Sequence, residues 1–441
     1  MKTGIGDTGT GSGPDTGGGR FSRINWGFYG WRMLPFAWLI YGLGAAPFYS
    51  WGYFAAGMNA ELGLTRADSG LAFGVWTFFG GAVAPLIGVC LTRFGLRPVF
   101  TLGFFVVAGA YYLTSRAQDR WDVLLYFGLF AGLTHTFTTV LPTQTLATNW
   151  FLRWRASALA FLLTAAGLMG PLILRFDAVL LGRGGTWRDG WGLIAVLCCV
   201  LGALSFLAIR NRPEAVGQLR DGARTLTELE ATAPRSEPAG GDHWTAVEAL
   251  RTPQFALMVV CGLGYAVPWG VVNAHGGLHL RDLGFGDAPV AALLGLMILC
   301  STGGRIAGAL GDLVRPPRLL GFALAMEGAG MALFLLAGSA WTARVALVLL
   351  GLGFGMAYIS QAATFASFFG RRAFATTTGT RFAIGAPFGA LVPFLAGLAF
   401  DTWGSYAVPF LAIATVTLTG SVVAFFLQPP RKKQDVAGQS R

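Results

Sequence analysis

Gly88-Val-Cys-Leu-Thr-Arg-Phe-Gly-Leu-Arg-Pro98 is echoed 220 residues later by Gly308-Ala-Leu-Gly-Asp-Leu-Val-Arg-Pro316. Each stretch follows a long apolar run, and each ends in a proline that opens the next. A second echo lies at an offset near 218, where Trp150-Phe151 with Arg153 and Arg155 matches Phe368-Phe369 with Arg371 and Arg372. Gln144 and Gln361, 217 apart, sit on the apolar runs before that second echo. Three features at one period predict a parallel internal repeat, two copies of one unit moving about a central site.

Working outward from the repeat, apolar runs recur at about 33–57, 70–91, 98–115, 123–148, 157–182, 190–209, 254–280, 288–313, 319–338, 344–369, 374–400 and 406–427. That makes twelve, six in each copy. Of 441 residues, 54% are hydrophobic and 12% charged, half the roughly 25% charge of a soluble domain. Such a composition excludes an ordinary soluble globule, and runs of this length exclude a transmembrane barrel built from short alternating strands. The expected fold is an all-α membrane protein with twelve transmembrane helices in two six-helix bundles.

The domain reading follows. Residues 1–25 are rich in Gly, Thr and Ser and read as a disordered tail, not a cleavable signal. Residues 26–210 form the N-terminal bundle, 211–253 a polar linker, 254–428 the C-terminal bundle, and 429–441 a second tail. The segments that share a side with the termini carry 22 Lys and Arg, the opposite loops only 7. That asymmetry predicts cytoplasmic termini and absorbs the net charge of +11 as topology, with no nucleic-acid partner. Three basic residues remain inside spans: Arg175, Arg305 and Arg381.

Four stretches carry a resemblance to a known family. They are Gly30-Trp31; Glu61-Leu-Gly-Leu-Thr-Arg-Ala67 through Ala84-Pro85 to Arg93-Phe-Gly-Leu-Arg97; Asn149-Trp-Phe-Leu-Arg-Trp-Arg-Ala156; and His275 to Asp282-Leu-Gly284 with Gly304-Arg305. Over about residues 26–428 the chain resembles the major facilitator superfamily, and within it the monocarboxylate transporter and oxalate/formate antiporter branch. The resemblance implies a secondary carrier whose anionic-substrate arginine corresponds to Arg305. The two basic loops, around Arg93 and Arg97 and around Arg315 with Asp312, are expected to hold the halves together in the outward-open state through charged contacts at helix ends. There are departures: Thr92 stands where the superfamily loop usually has an acid. Ser301 and Tyr49 stand near the places where proton-coupled monocarboxylate carriers have an acid and a lysine, which speaks against proton coupling but not against carboxylate recognition.

The residues themselves point the same way. Arg305 lies eight residues inside its apolar run, about 12 Å at ~1.5 Å per residue, with no acid one turn away. A permanent cation at such depth costs ~2.5–3.5 kcal/mol on the insertion scale and needs a partner. A guanidinium clamps a carboxylate with two hydrogen bonds. Arg381 shares that depth on the eleventh run. Tyr49, His135, Gln144, Trp269, His275, Tyr358 and Gln361 complete the candidate substrate set, as polar or aromatic groups on runs expected to line the cavity. Each has a plainer reading as packing or hydrogen bonding, and both arginines have one as side chains snorkelling to the headgroups. Arg175 and Asp177, two apart, cannot face each other on a helix, and Glu327 reads as an interhelical or protonated carboxyl.

The five cysteines and the i, i+4 pair His275 and His279 show no metal-ligand spacing, so neither metal nor cofactor is expected. No nucleophile–base set or paired acid suggests an enzyme. The expected function is secondary transport of small mono- or dicarboxylates through a multi-pass cell membrane, such as a bacterial inner membrane. A cavity of charge +2 favours anion exchange over proton symport, with protons as possible co-substrates through His135. A carrier of another solute with structural arginines, or a non-transporting sensor, are the alternatives.

Overall fold

The computed structural model describes residues 25, 27–151, 154–223, 225, 244–308 and 314–430. The tails at 1–24 and 431–441, much of the linker, and Asp312 lie outside the described residues. Among those described the chain is helical, without strands.

Proline and glycine punctuate the first helices. α1 (Tyr29–Gly44) and α2 (Ala46–Leu62) part at Ala45, with Pro47 in the first turn of α2. α3 (Arg66–Ala82) and α4 (Ala84–Phe94) meet at 45°, with Pro85 in the first turn of α4. Proline has no N–H to continue a ladder and crowds the preceding turn, which explains both breaks. α5 (Leu96–Ser115) is regular. α6 (Arg120–Trp150) is not: it widens to π geometry over Leu124–Ala131 and tightens to 3-10 over Thr136–Thr138. The Thr134 and Thr138 hydroxyls there donate to the carbonyls of Phe130 and His135, competing with the helix ladder.

α7 (Arg155–Gly182) and α8 (Trp187–Ala208) complete the first half. After the short α9 (Ala246–Leu250) come α10 (Pro253–Asp282), α11 (Asp287–Ala307) and α12 (Pro316–Leu335). Residues Ala340–Trp403 are helical throughout and hold two apolar spans, α13 (Ala340–Phe369) and α14 (Thr377–Trp403). α15 (Ala407–Phe426) is the last. Among the described residues ten helices are individually long and apolar enough to cross a membrane, and the bent α3/α4 pair makes eleven. The first apolar run falls on α1 and α2, of 16 and 17 residues, each too short to count alone.

The outer faces suit lipid. On α5 the exposed residues include Leu102, Phe105, Val106 and Leu113; on α8 they include Leu193, Val196, Val200 and Leu207. Apolar stripes of this extent would not stay in water. Inside the first half a stack of rings packs Trp51 on Phe127 at 4.0 Å, with Trp76 and Trp191 against the same phenylalanine.

The halves touch along three seams: α2 with α10, α3 with α14, and α7 with α11. Small residues let the backbones close. A Cβ on Gly74 would lie 2.0 Å from the Ala390 carbonyl oxygen, and one on Gly52 would lie 2.1 Å from that of Asn273. Close backbone approach of this kind is how helices gain packing energy where lipid removes the hydrophobic drive.

Candidate functional site

Two arginines converge on one group of rings between the halves. Arg305 sits in the last described turn of α11, its Cζ 5.9 Å from the Phe354 ring and 5.8 Å from that of Tyr358. Tyr41 and Tyr49, from the first half, lie within its electrostatic reach. Arg381 on α14 is 7% exposed and places its Cζ 5.6 Å from the Tyr265 ring. Tyr265, Phe354 and Tyr358 are mutual neighbours at 5.8–6.4 Å. Trp269 stacks flat on Phe354 at 4.0 Å and 9°.

Donors at this place outnumber acceptors. Arg305 Nη1 donates to the Leu163 carbonyl at 3.2 Å across the seam between the halves, while its Nε has no partner. Arg381 Nε is also buried and unpartnered, and so is Gln361 Oε1. Gln361 Nε2 donates to the Met258 carbonyl at 2.6 Å. Gly262 makes room for both side chains: a Cβ there would lie 2.8 Å from Arg381 Nη1 and 3.0 Å from Gln361 Nε2. Among the described residues neither arginine has a carboxylate within 4.0 Å. Buried donors left unpaired cost of order 1–3 kcal/mol each, more when charged, so this is a place prepared for acceptors.

Arg305, Arg381, Tyr49, Tyr358, Trp269 and Gln361 are thus brought together. His135 and His275 are elsewhere. His135 packs on Trp76 at 4.7 Å with the Tyr111 hydroxyl 3.1 Å from its Nδ1, inside the first half. His275 faces the end of the molecule remote from the termini, where its Nε2 meets the Pro393 carbonyl at 2.8 Å and its Nδ1 the Tyr406 hydroxyl at 3.2 Å. Gln144 is half-buried on α6. Glu327 is fully buried, with both oxygens unpartnered. Its Cβ would meet a Cβ on Gly353 of α13 at 2.8 Å, so it faces the neighbouring helix and not lipid.

Of the residues expected to gate the terminal-bearing end, the three that are described, Arg93, Arg97 and Arg315, make no bond across the halves among the described residues. Arg93 lies over Phe94, and Arg97 binds the Phe206 carbonyl and Asn211, all within the first half. Arg315 is exposed before α12.

A clasp that the sequence does not reveal holds the far end. Arg66 forks onto Asp282 through two 2.5 Å bonds, reaches the Tyr406 hydroxyl at 3.1 Å and stacks 3.8 Å from the Phe400 ring. The backbone N–H groups of Arg66 and Ala67 donate to Asp401, so a carboxylate from the second half sits on the N-terminus of α3. Beside it, Arg281 Nη2 donates to the Tyr53 carbonyl at 3.2 Å and the Tyr53 hydroxyl to the Asp287 carbonyl. Further along the seams only Thr77 with Gly389, and Arg305 with Leu163, add bonds between the halves among the described residues.

Comparison with known proteins agrees with this architecture. A 157-residue stretch is 29% identical to the uncharacterized transporter ESBP6 of Saccharomyces cerevisiae, covering 35% of this chain and 23% of that protein. Monocarboxylate transporter 13 of Rattus norvegicus is 27% identical over 352 residues, 78% of this chain and 76% of the relative. In fold, the chain is similar to a bacterial homolog of the human lysosomal transporter Spinster in an inward-facing and unoccupied conformation. There the TM-score is 0.72 at 15% identity, over 90% of this chain and 97% of that one. The family model described as Major Facilitator Superfamily matches residues 37–393, and the chain belongs to that superfamily of membrane transporters.

Proposed function

We propose that the protein carries small organic anions, mono- or dicarboxylates, across a cell membrane by alternating access. The carrying observation is the pair of arginines, Arg381 buried and Arg305 half-buried, each with a buried, unpartnered Nε donor, on a shared aromatic floor. Arg305 is the principal carboxylate anchor. Arg381 with Gln361 holds a second oxygen pair, and Tyr265, Phe354, Tyr358 and Trp269 pack the carbon skeleton. The name of the rat relative, a monocarboxylate transporter, supports the substrate class.

With the termini cytoplasmic, the closed far end is the outer one and the conformation is inward-open. Arg93, Arg97, Arg315 and Asp312 then serve the opposite, outward-open state, meeting across the halves when the inner end closes. Two guanidinium charges make an empty cavity costly to carry through a closed, dry intermediate, because isolated charges in low dielectric are destabilising. A bound anion lowers that barrier, so exchange is favoured over proton symport. The bond from Arg305 to Leu163 across the halves supports one other reading, a carrier of a different solute in which this arginine is a structural bridge.

The test is a screen of labelled mono- and dicarboxylates in proteoliposomes, with and without internal counter-substrate. Uptake that requires internal anion supports exchange. Rapid accumulation driven by a pH gradient alone rules exchange out, and no carboxylate uptake under any condition rules out the substrate class.

A further inference from the structure

Three unbroken spans share one pattern, a glycine four residues before a proline: Gly167 and Pro171 on α7, Gly264 and Pro268 on α10, Gly389 and Pro393 on α14. Proline has no N–H, so each of these glycine carbonyls lacks its helical donor. In two cases a threonine from a neighbouring helix supplies one. Thr417 of α15 donates to the Gly264 carbonyl at 2.7 Å, inside the second half. Thr77 of α3 donates to the Gly389 carbonyl at 3.3 Å, from one half to the other.

The third carbonyl also has a threonine beside it, and there the bond is not made. Thr302 of α11 is 6% exposed, and its hydroxyl is buried without a partner among the described residues. A Cβ on Gly167 would collide with that hydroxyl oxygen, so it lies directly against α7, in the other half. Buried threonines in helices can donate back to their own ladder, as Thr114, Thr143 and Thr364 do to Ala110, Thr139 and Ser360. Thr302 has turned instead toward the other half and stops short of an acceptor. The seam is close on both sides of it: Arg305 reaches the Leu163 carbonyl, and a Cβ on Gly295 would lie 3.2 Å from the Pro171 Cα. An unpaired hydroxyl in a dry seam is a standing cost. The carbonyl that would remove it is within reach of the ~1–2 Å shifts that packed helices make at moving interfaces.

We propose that the Thr302 hydroxyl and the Gly167 carbonyl form a hydrogen bond in the opposite conformation: as the far end opens, α11 slides on α7 and the hydroxyl takes the carbonyl that Pro171 leaves free. Thr77, already bonded across the halves, favours the closed far end seen here. Two seam hydroxyls therefore weight the two conformations in opposite directions. The proposal rests on alternating access and not on the identity of the cargo.

The experiment reads the far end without substrate. Spin labels at Ala60→Cys and Ala288→Cys, both exposed and on opposite halves, are placed in a chain lacking its five native cysteines and reconstituted in nanodiscs for pulsed dipolar distances. The parent is expected to show a short and a long population. Thr302→Val keeps the shape and removes the donor, and is expected to raise the short population relative to the long by about two- to tenfold, the range of one net hydrogen bond. Thr302→Ser keeps the hydroxyl and is expected to match the parent. Thr77→Val is expected to shift the ratio the other way, by less, because its hydroxyl is shared with the Gly74 carbonyl at 2.8 Å. Thr417→Val, whose bond lies within one half, is expected to leave the ratio unchanged. An unchanged ratio or a shift toward the open far end in Thr302→Val overturns the proposal. So does a Thr302→Ser chain that follows the valine variant, or a Thr417→Val shift as large as that of Thr302→Val. Thr302→Ala, which cannot overpack the seam, must shift in the same direction as valine and carries the test where the valine chain does not fold. A single population in the parent overturns alternating access together with this bond, whereas failure of the carboxylate screen leaves every outcome here unaffected.

Discussion

At the far end Arg66 spends its donors on Asp282 and the Tyr406 hydroxyl and lies on the Phe400 ring. Between the halves Arg305 has one bond to a backbone carbonyl and an unpartnered Nε. The side chain is the same and the supply of acceptors is opposite. Both bridge the two halves, but only Arg66 is completed by the protein itself. In a moving carrier, a cation whose acceptors are built in marks a contact that must break, and a cation without acceptors marks a place that something else completes.

The largest expected effect tests the incomplete arginine. A charged, forked hydrogen bond contributes about 1.5–3 kcal/mol, or on the order of 10–100-fold. Arg305→Lys keeps the charge and loses the fork, so exchange in proteoliposomes is expected to fall by about that factor at equal expression. Arg305→Ala should abolish it. If both variants transport normally, Arg305 belongs with Arg66 as a structural bridge.

Next in size is the completed arginine. Asp282→Asn removes the carboxylate from the clasp, whose side chains are 18% and 32% exposed. Solvent screens such a pair, so its contribution is discounted to about 1 kcal/mol. Spin-label distances between Ala60→Cys and Ala288→Cys, both exposed and on opposite halves, are expected to shift toward the open far end by roughly fivefold in population, with binding of anion at the Arg305 site intact. An unshifted distribution would mean that Asp401 and the glycine seams hold the far end without the fork.

A smaller effect is expected for Tyr406→Phe. Its hydroxyl lies between Arg66 and His275. Since the Pro393 carbonyl can only accept, His275 Nε2 carries the hydrogen, and in the neutral ring Nδ1 accepts from the tyrosine. Removing one such hydroxyl costs about 0.5–1.5 kcal/mol, and part of it is recovered by the remaining fork. A two- to threefold shift toward the open far end in the same label distances is the expected outcome; a shift as large as that of Asp282→Asn would make the tyrosine the principal contact.

Much of this was legible in the sequence, and the gaps have physical causes. Arg305 and Arg381 stood out because a charge in an apolar run is conspicuous at any distance from its partner. Tyr358, Trp269 and Gln361 followed from the helices they occupy. Arg66 and Asp282 fall in the stretches that carry the family resemblance, but their pairing, and Asp401, did not show, because charges at helix ends beside loops look like solvated surface, and nothing in the spacing joins residues 216 and 335 positions apart. His275 was assigned by its helix, yet its depth along α10 puts it with the clasp. The breaks at Pro47 and Pro85 split runs read as continuous, 33–57 and 70–91, although a proline stands at each; the π turn of α6 left no mark at all, since Leu124–Ala131 is simply apolar.

The smallest expected effect concerns Glu327, which carries the comparison to an acid. Like Arg305 it is unsatisfied, with both oxygens unpartnered at zero exposure. Unlike Arg305 it makes no bond across the halves among the described residues. Against Gly353 of α13, and within electrostatic reach of Tyr265, it serves as a polar contact behind the aromatic floor. Glu327→Gln preserves that shape. Exchange rates and their pH dependence are therefore expected to stay within about twofold, well under the ~1.4 kcal/mol that a tenfold change represents. The measurement is counterflow at pH 5.5 and 7.5 for both chains. Loss of a pH-gradient response in Glu327→Gln alone would show that this acid exchanges its proton during the cycle and is more than a packing contact.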